Sequence, residues 1–227
     1  MNETNPVQLR WNEVDRYLEQ QLIGPDSLME NVLKNNHAAG LPPFDVTPTQ
    51  GKFLHLLVQL CGAKHVLEIG TLGGYSTIWM ARALPEDGHI VTLEVSPHHA
   101  ETAARNFKLA GLEERITIRT GDALEQLAHM NQELYAPFDL IFIDADKPNN
   151  PHYLNWALHF SRPGTVIVGD NVVREGEIID HLSSDPRIQG VRSFYDQLRN
   201  EPRVSATALQ TVGSKGYDGF MIGIVNG

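Results

Sequence analysis

The chain has 227 residues, 41% of them hydrophobic, and a formal net charge of −10, with 18 Lys and Arg against 28 Asp and Glu. That length and apolar content suffice for one α/β domain with its sheet covered on both faces. The acidic balance, with no local basic patch, opposes extended contact with nucleic acid or an acidic membrane. Cys61 is the single cysteine, which excludes an internal disulfide and fits a reducing compartment. The polar start, Met1 to Arg10, lacks the pattern of a signal peptide, and no apolar run approaches the roughly 20 residues of a spanning helix. The expectation is a cytoplasmic protein without membrane contact.

In chain order, Trp11, Val14, Tyr17, Leu18 and Leu22 recur at helix spacing, and Asp26 or Ser27 is placed to cap a second helix running towards His37. Residues 1–40 are thus expected to form a helical cover or interface segment within a single domain, 1–227. Gly40 to Pro48 holds three prolines and reads as a loop. Thr47 or Thr49 would cap the next helix, whose apolar face includes Phe53, Leu56, Leu57 and Leu60. From Lys64 onwards strand and helix signals alternate. Strands are expected at His65 to Ile69, His89 to Glu94, Arg115 to Thr120, Phe138 to Ile143 and Gly164 to Gly169, which predicts a parallel sheet with right-handed crossovers. After Asn171 the rhythm changes. A helix over roughly Ile188 to Asn200 leads to apolar runs at Arg203 to Thr211 and Gly219 to Val225. Their connection is too short for a parallel crossover, so the last strand enters antiparallel.

Two strands stop at oxygen-bearing side chains: IFIDADK, Ile141 to Lys147, and VIVGDN, Val166 to Asn171. Carboxyl ends of strands in an open α/β sheet face a ligand crevice, so Asp144, Lys147, Asp170 and Asn171 are expected to converge there. Oxygen-only ligands suit a hard divalent cation such as Mg²⁺, which leaves positions open for substrate. The first strand runs through EIGTLGGYS, Glu68 to Ser76, into a helix, with glycines at 70, 73 and 74 letting a ligand approach the main chain. The spacing is not GxGxxG and no Walker lysine follows, so a pyrophosphate has little support. Glu94 ends the second strand where an acid accepts ribose hydroxyls, and Gly121-Asp122-Ala123 ends the third where an adenine edge would be read. Glu68 beside the glycine turn favours a cationic ligand such as a sulfonium.

Singly, each feature has a plainer reading. A glycine loop after a strand is often just a tight connection, Asp122 has the position of a helix cap, and an isolated Lys147 reads as a surface lysine. His98 and His99 open a helix and are expected to be exposed, Tyr153 and Trp156 to pack, and Asp218-Gly219 to form a hairpin turn.

Taken in order, ExGxxxGxS (Glu68, Gly70, Gly74, Ser76), the terminal Glu94, GDA at 121–123, DADK at 144–147 and GDN at 169–171 resemble the cation-dependent O-methyltransferases of the caffeoyl-CoA and catechol type, most closely their small bacterial members. The resemblance runs from about residue 40 to the end. It implies a Rossmann-like, doubly wound, mostly parallel seven-stranded sheet with an antiparallel last strand. It implies S-adenosylmethionine in the cleft, with Glu68, Gly70, Thr71 and Ser76 near its methionine and ribose, Glu94 on the ribose, Asp122 and Ala123 at the adenine, and Val46, Asp144 and Asp146 along its wall. Asp144, Asp170 and Asn171 would hold the metal, Mg²⁺ ahead of Mn²⁺ or Ca²⁺. Lys147, with Asp144, would take the proton from a phenol. A homodimer is also implied. The loop after Asn171 reads VVREGE and lacks the aromatic residue of the plant relatives, so the expected acceptor is a small ortho-dihydroxy aromatic: a catechol, hydroxycinnamate or flavonoid. Methylation of a hydroxylated tRNA nucleoside is the second enzymatic reading. A NAD-dependent oxidoreductase is opposed by the glycine spacing and the lack of a hydride-transfer His or Tyr/Lys pair, and a non-catalytic binding module by retention of the metal set with Lys147.

Overall fold

Short β-branched runs alternating with capped helices give this chain its layered form. The computed structural model describes residues 5–227; the first four residues of the polar start lie outside the described residues. Helix α1 (Pro6–Leu22) starts on Asn5, α2 (Ser27–Ala38) on Asp26 and α3 (Pro48–Leu60) on Thr47, whose side-chain oxygens accept main-chain N–H groups of the first turn. Asp26 and Thr47 are therefore the caps of the two pairs of candidates. Alternation follows through β1 (His65–Ile69), α4 (Tyr75–Ala81), β2 (His89–Glu94), α5 (Pro97–Leu109), β3 (Ile116–Thr120), α6 (Ala123–Gln132), β4 (Leu140–Ile143), α7 (Asn150–His159) and β5 (Val166–Asp170). The chain closes with α8 (Pro186–Asn200) and the hairpin β6 (Val204–Gly213) to β7 (Gly216–Val225).

The seven strands lie in the order β3-β2-β1-β4-β5-β7-β6. The first five are parallel, and β7 enters antiparallel between β5 and β6. Both faces are covered, as the apolar runs of the strands require. On one face Val66, Ile90, Leu140 and Phe142 pack under α2 to α5 with Leu54, Ile78 and Phe107; on the other, Leu67, Val91, Ile141 and Ile143 meet Leu127, Tyr153, Leu154 and Phe194. The chain crosses from one side of β1 to the other between β3 and β4. That switch point opens a crevice at the carboxyl ends of β1 and β4.

Several boundaries differ from expectation for local reasons. Strand β4 starts at Leu140 because Asp139 turns its carboxylate to the N–H groups of Lys64 and His65 and to Arg162, tying the amino ends of the sheet. Strand β5 extends to Asp170, so this acid is the last residue of the strand. Strand β7 starts at Gly216, so Asp218 and Gly219 lie inside it and do not form the turn. Helix α1 departs most from its pattern. Its one buried residue is Asp15, whereas Tyr17 and Leu22, on the expected apolar face, are 61% and 71% exposed. No helix among the described residues is long and apolar enough to cross a membrane.

Candidate active site

The turn from β1 to α4 is built around two acids. Glu68 is fully buried, and its carboxylate accepts hydrogen bonds from Ser76 (2.6 Å), Thr77 and Thr92 (2.7 Å). Burial, joined by the field of Asp144, still pushes it up to about 7, against the pull of the three hydroxyls. Glu94, at the end of β2, accepts from the main-chain N–H groups of Thr71 (3.2 Å) and Leu72 (2.7 Å) on one oxygen and Ser96 (2.9 Å) on the other. His99 Nδ1 stands 3.3 Å from the same carboxylate. His99 is thus only partly exposed and touches the candidate site, contrary to the expectation for it; His98 is exposed and reaches the carbonyl of Ala39. Thr71 is buried, with its hydroxyl against Thr92 and the Leu93 carbonyl.

Gly70 joins this turn to the next strand end. Its φ is +101°, and a Cβ there would stand 2.2 Å from the carbonyl oxygen of Asp144, so only glycine lets the turn lie against β4. Gly73 makes a second close approach, to Asn36. The buried Asn36 and Asn106 amides link α2, α5 and the glycine turn: Asn106 Nδ2 donates to Asn36 Oδ1 and to the Gly73 carbonyl, both at 2.8 Å, and Asn36 Nδ2 donates to Asp45 at 2.8 Å. Asp45 and the buried Val46 are thereby pinned beside the turn. No motif reveals this network, because its two amides are 70 residues apart in sequence.

Across the crevice, Lys147 is buried and its ammonium lies 3.0 Å from Asp144 Oδ1. Asp170 is buried beside them. Burial and the neighbouring charge of Asp144 raise its pKa, with Lys147 and the Gln50 side chain of α3 acting in the opposite direction. Gln50 carried no signal in the sequence. Asn171 follows in the left-handed region with φ +53°, its main-chain N–H on Asp170 Oδ1 at 2.8 Å. Asp146 is exposed and accepts from Tyr153 (2.5 Å) and Asn149 (2.7 Å). Tyr153 thus packs, as expected, and also fixes Asp146. Asp122 caps α6 by accepting from Leu124 and Glu125, the plainer of its two readings, with Ala123 in the first turn behind it. Asp218 Oδ1 accepts from Val173 and Arg174 and so moors the loop after Asn171. Phe44, on the loop before Val46, is 75% exposed.

An open sheet of this order, with a buried acid and glycine turn facing two strand-end carboxylates and a lysine, defines an α/β enzyme of the group-transfer kind. The sequence model described as O-methyltransferase matches residues 21–219. A catechol O-methyltransferase of Niastella koreensis is 49% identical over 95% of this chain and 97% of its own. Among solved structures, an O-methyltransferase from Bacillus cereus in complex with SAH is 61% identical over 96% of this chain and all of its own, with a TM-score of 0.96. The O-methyltransferase TomG from Streptomyces achromogenes, in complex with SAM, is 45% identical over the full length of both chains, with a TM-score of 0.93. The chain belongs to the O-methyltransferase family, and the expected seven-stranded sheet with antiparallel β7 is the fold observed.

Proposed function

We propose that this enzyme moves a methyl group from S-adenosylmethionine to one hydroxyl of a small catechol-type aromatic and that it needs a divalent cation to do so. The observation that carries the reading is the meeting of Asp144, Lys147 and Asp170 at strand ends that touch the glycine turn through Gly70. Donor and acceptor are thereby brought to one point. Among the described residues no three His, Cys, Asp or Glu side chains cluster as a metal site; the set proposed is two carboxylates with the Asn171 amide oxygen. The donors fit a hard cation, since two acids forced together in a buried corner are relieved by one. Bound there, the cation would act as Lewis acid and template for two adjacent phenolic oxygens.

The donor brings a sulfonium whose methyl group is displaced in line, so the protein has chiefly to align the partners and generate an oxyanion. Glu68, Gly70, Thr71 and Ser76 serve the methionine and ribose parts, Glu94 the ribose, Asp122 and Ala123 the adenine, and Val46, Asp144 and Asp146 the cofactor wall. Glu94 does this while holding the turn: its two oxygens already order Thr71, Leu72 and Ser96, so a ribose would share an acid that is fixed in place. Lys147 is held as an ammonium by Asp144; with a cation bound at that carboxylate the lysine would lose its proton, and the neutral amine would then accept the phenolic one. The uncovered apolar stripe of α1 suits a homodimer, and the lone cysteine suits the cytoplasm.

Incubation with labelled S-adenosylmethionine, with and without Mg²⁺, against catechols, flavonoids and bulk tRNA tests the reading. Label is expected in a catechol-type product and is expected to vanish with a chelator. A rate on catechol that a chelator leaves unchanged overturns the metal assignment, and label confined to RNA overturns the acceptor class.

A further inference from the structure

The acceptor end of the cleft carries a cation that no role above uses. Lys215 lies in the two-residue connection of the β6–β7 hairpin, and pairing of Asp170 with Phe220 and of Gly213 with Gly216 carries that connection past the end of β5. The side chain reaches back across the opening. Its Nζ donates to the Pro43 carbonyl at 2.8 Å, on the loop leading to Phe44 and Val46. Burial lowers its pKa, and the carboxylates of Asp45, Asp144 and Asp170 act in the opposite direction.

Each of those acids is engaged elsewhere. Asp45 accepts from Asn36, Asp144 faces Lys147, and Asp170 accepts from the Asn171 N–H. Among the described residues no carboxylate lies within ion-pair distance of Lys215, and the Pro43 carbonyl is its one hydrogen-bond partner. An ammonium has three donors, so two remain for a ligand. The mount is firm. Asp15 of α1 accepts the Ser214 N–H at 2.7 Å, and Gln8 Nε2 donates to the Gly213 carbonyl at 2.8 Å, so the turn that carries Lys215 is tied on both sides. This is also the use of the one buried residue of α1. A net charge of −10 repels anions from the molecule as a whole, so an anionic acceptor would need a local cation at the rim.

We propose that Lys215 is a specificity-determining residue that receives a carboxylate substituent of the acceptor, so that the preferred substrate is an anionic ortho-dihydroxy aromatic rather than a neutral one. This rests on the proposed catechol chemistry. With the ring hydroxyls at Asp144 and Asp170, a carboxylate on the ring or a short side chain points away from those acids to the rim. A charge-assisted hydrogen bond there favours the anionic acceptor by about 10- to 100-fold.

The test compares kcat/KM for 3,4-dihydroxybenzoate with that for catechol in the wild type, Lys215→Met and Lys215→Arg, at saturating S-adenosylmethionine and Mg²⁺. The ratio of the two constants is internal to each protein, so partial misfolding cancels. Lys215→Met is expected to lower the ratio about 10- to 100-fold, chiefly through KM for the benzoate, and Lys215→Arg to keep most of it. An unchanged ratio in Lys215→Met means that the lysine only latches the hairpin to the Pro43 loop, and overturns the inference. A wild type that methylates catechol and rejects the benzoate overturns the inference alone. A wild type that methylates neither removes the catechol reading and this inference with it.

Discussion

Replacing Glu68 by Gln tests whether a buried acid in the glycine turn is held charged at a cost in stability. The carboxylate is fully buried, and its pKa is pushed from 4.5 up to about 7 by burial first and by Asp144 second. A carboxyl group whose pKa is raised on folding contributes stability that is fully present below the unfolded value and is lost as pH rises through the folded one. The window is therefore about pH 4.5 to 7. At about 1.36 kcal/mol per unit, the loss amounts to roughly 3 kcal/mol by pH 8. Gln can keep the Ser76 bond on its oxygen and the Thr92 bond by reversing a relay, at the expense of the bond that Thr77 donates. Its Nε2 donates to Thr92, whose hydroxyl turns to Thr71, which in turn donates to the Leu93 carbonyl. Urea midpoints of both proteins, taken from pH 4 to 8.5, should lie closest at the acid end and diverge from about pH 4.5, the gap being full above about pH 7.5, with Glu68→Gln the more stable by up to about 3 kcal/mol. Groups common to both proteins cancel in the difference. Parallel curves would refute the argument, since they would mean that Glu68 is no harder to ionise folded than unfolded. The same variant should bind S-adenosylmethionine about tenfold more weakly while changing S-adenosylhomocysteine less, because only the former carries the sulfonium that a nearby carboxylate attracts.

Gly70→Ala should destabilise by at least about 2 kcal/mol, since its Cβ would meet the Asp144 carbonyl and its φ is +101°; a thermal midpoint within about 2 °C of wild type, a shift of order 1 kcal/mol or less, would show that the turn can move off β4. Asn36→Ala and Asn106→Ala should each cost about 1–3 kcal/mol by leaving a buried amide partner unmet, and the double variant should cost less than their sum. Additive denaturant midpoints would mean that the two amides act separately. Lys147→Ala should lower kcat on catechol at least about 100-fold, with the dissociation constant of S-adenosylmethionine within about twofold. Equal turnover in that variant removes Lys147 as the base.

What the sequence revealed and what it hid divide along a physical line. Strands β1, β2, β4 and β5 were legible because each is a run of β-branched or large apolar residues that stops at a glycine or an acid, and Asp144 and Asp170 stood out because a carboxylate at the end of buried strand residues has to be used. Asn36, Asn106 and Asp45 gave no signal, since a hydrogen-bonded amide network needs only partners in space and leaves no periodicity. Gln50 and Lys215 were silent for the same reason. Helix α1 shows the complementary limit. Its spacing forecast the helix correctly, yet periodicity cannot say whether an apolar stripe finds its own core, and here the chain buries Asp15 and leaves Tyr17 and Leu22 outside. The start of β7 was hidden because Gly216, Asp218 and Gly219 have turn composition; the ladder to β6 overrides it by pairing every residue from Gly216 onwards.

That ladder bears on how the two halves of the cleft are coordinated. The glycine turn meets the acid strand end through main chain alone, at Gly70 and Asp144, and that contact does not depend on any side-chain rotamer. The rim proposed to receive the acceptor is assembled from long-range side-chain contacts: Asp218 to the loop after Asn171, Asp15 to the hairpin turn, and Lys215 to the Pro43 loop. On the proposed function, backbone contacts of the first kind would set the spacing of donor and acceptor and tolerate little change. Contacts of the second kind can be exchanged one side chain at a time, so variation in acceptor choice is expected to concentrate at the rim while the Gly70 contact stays fixed.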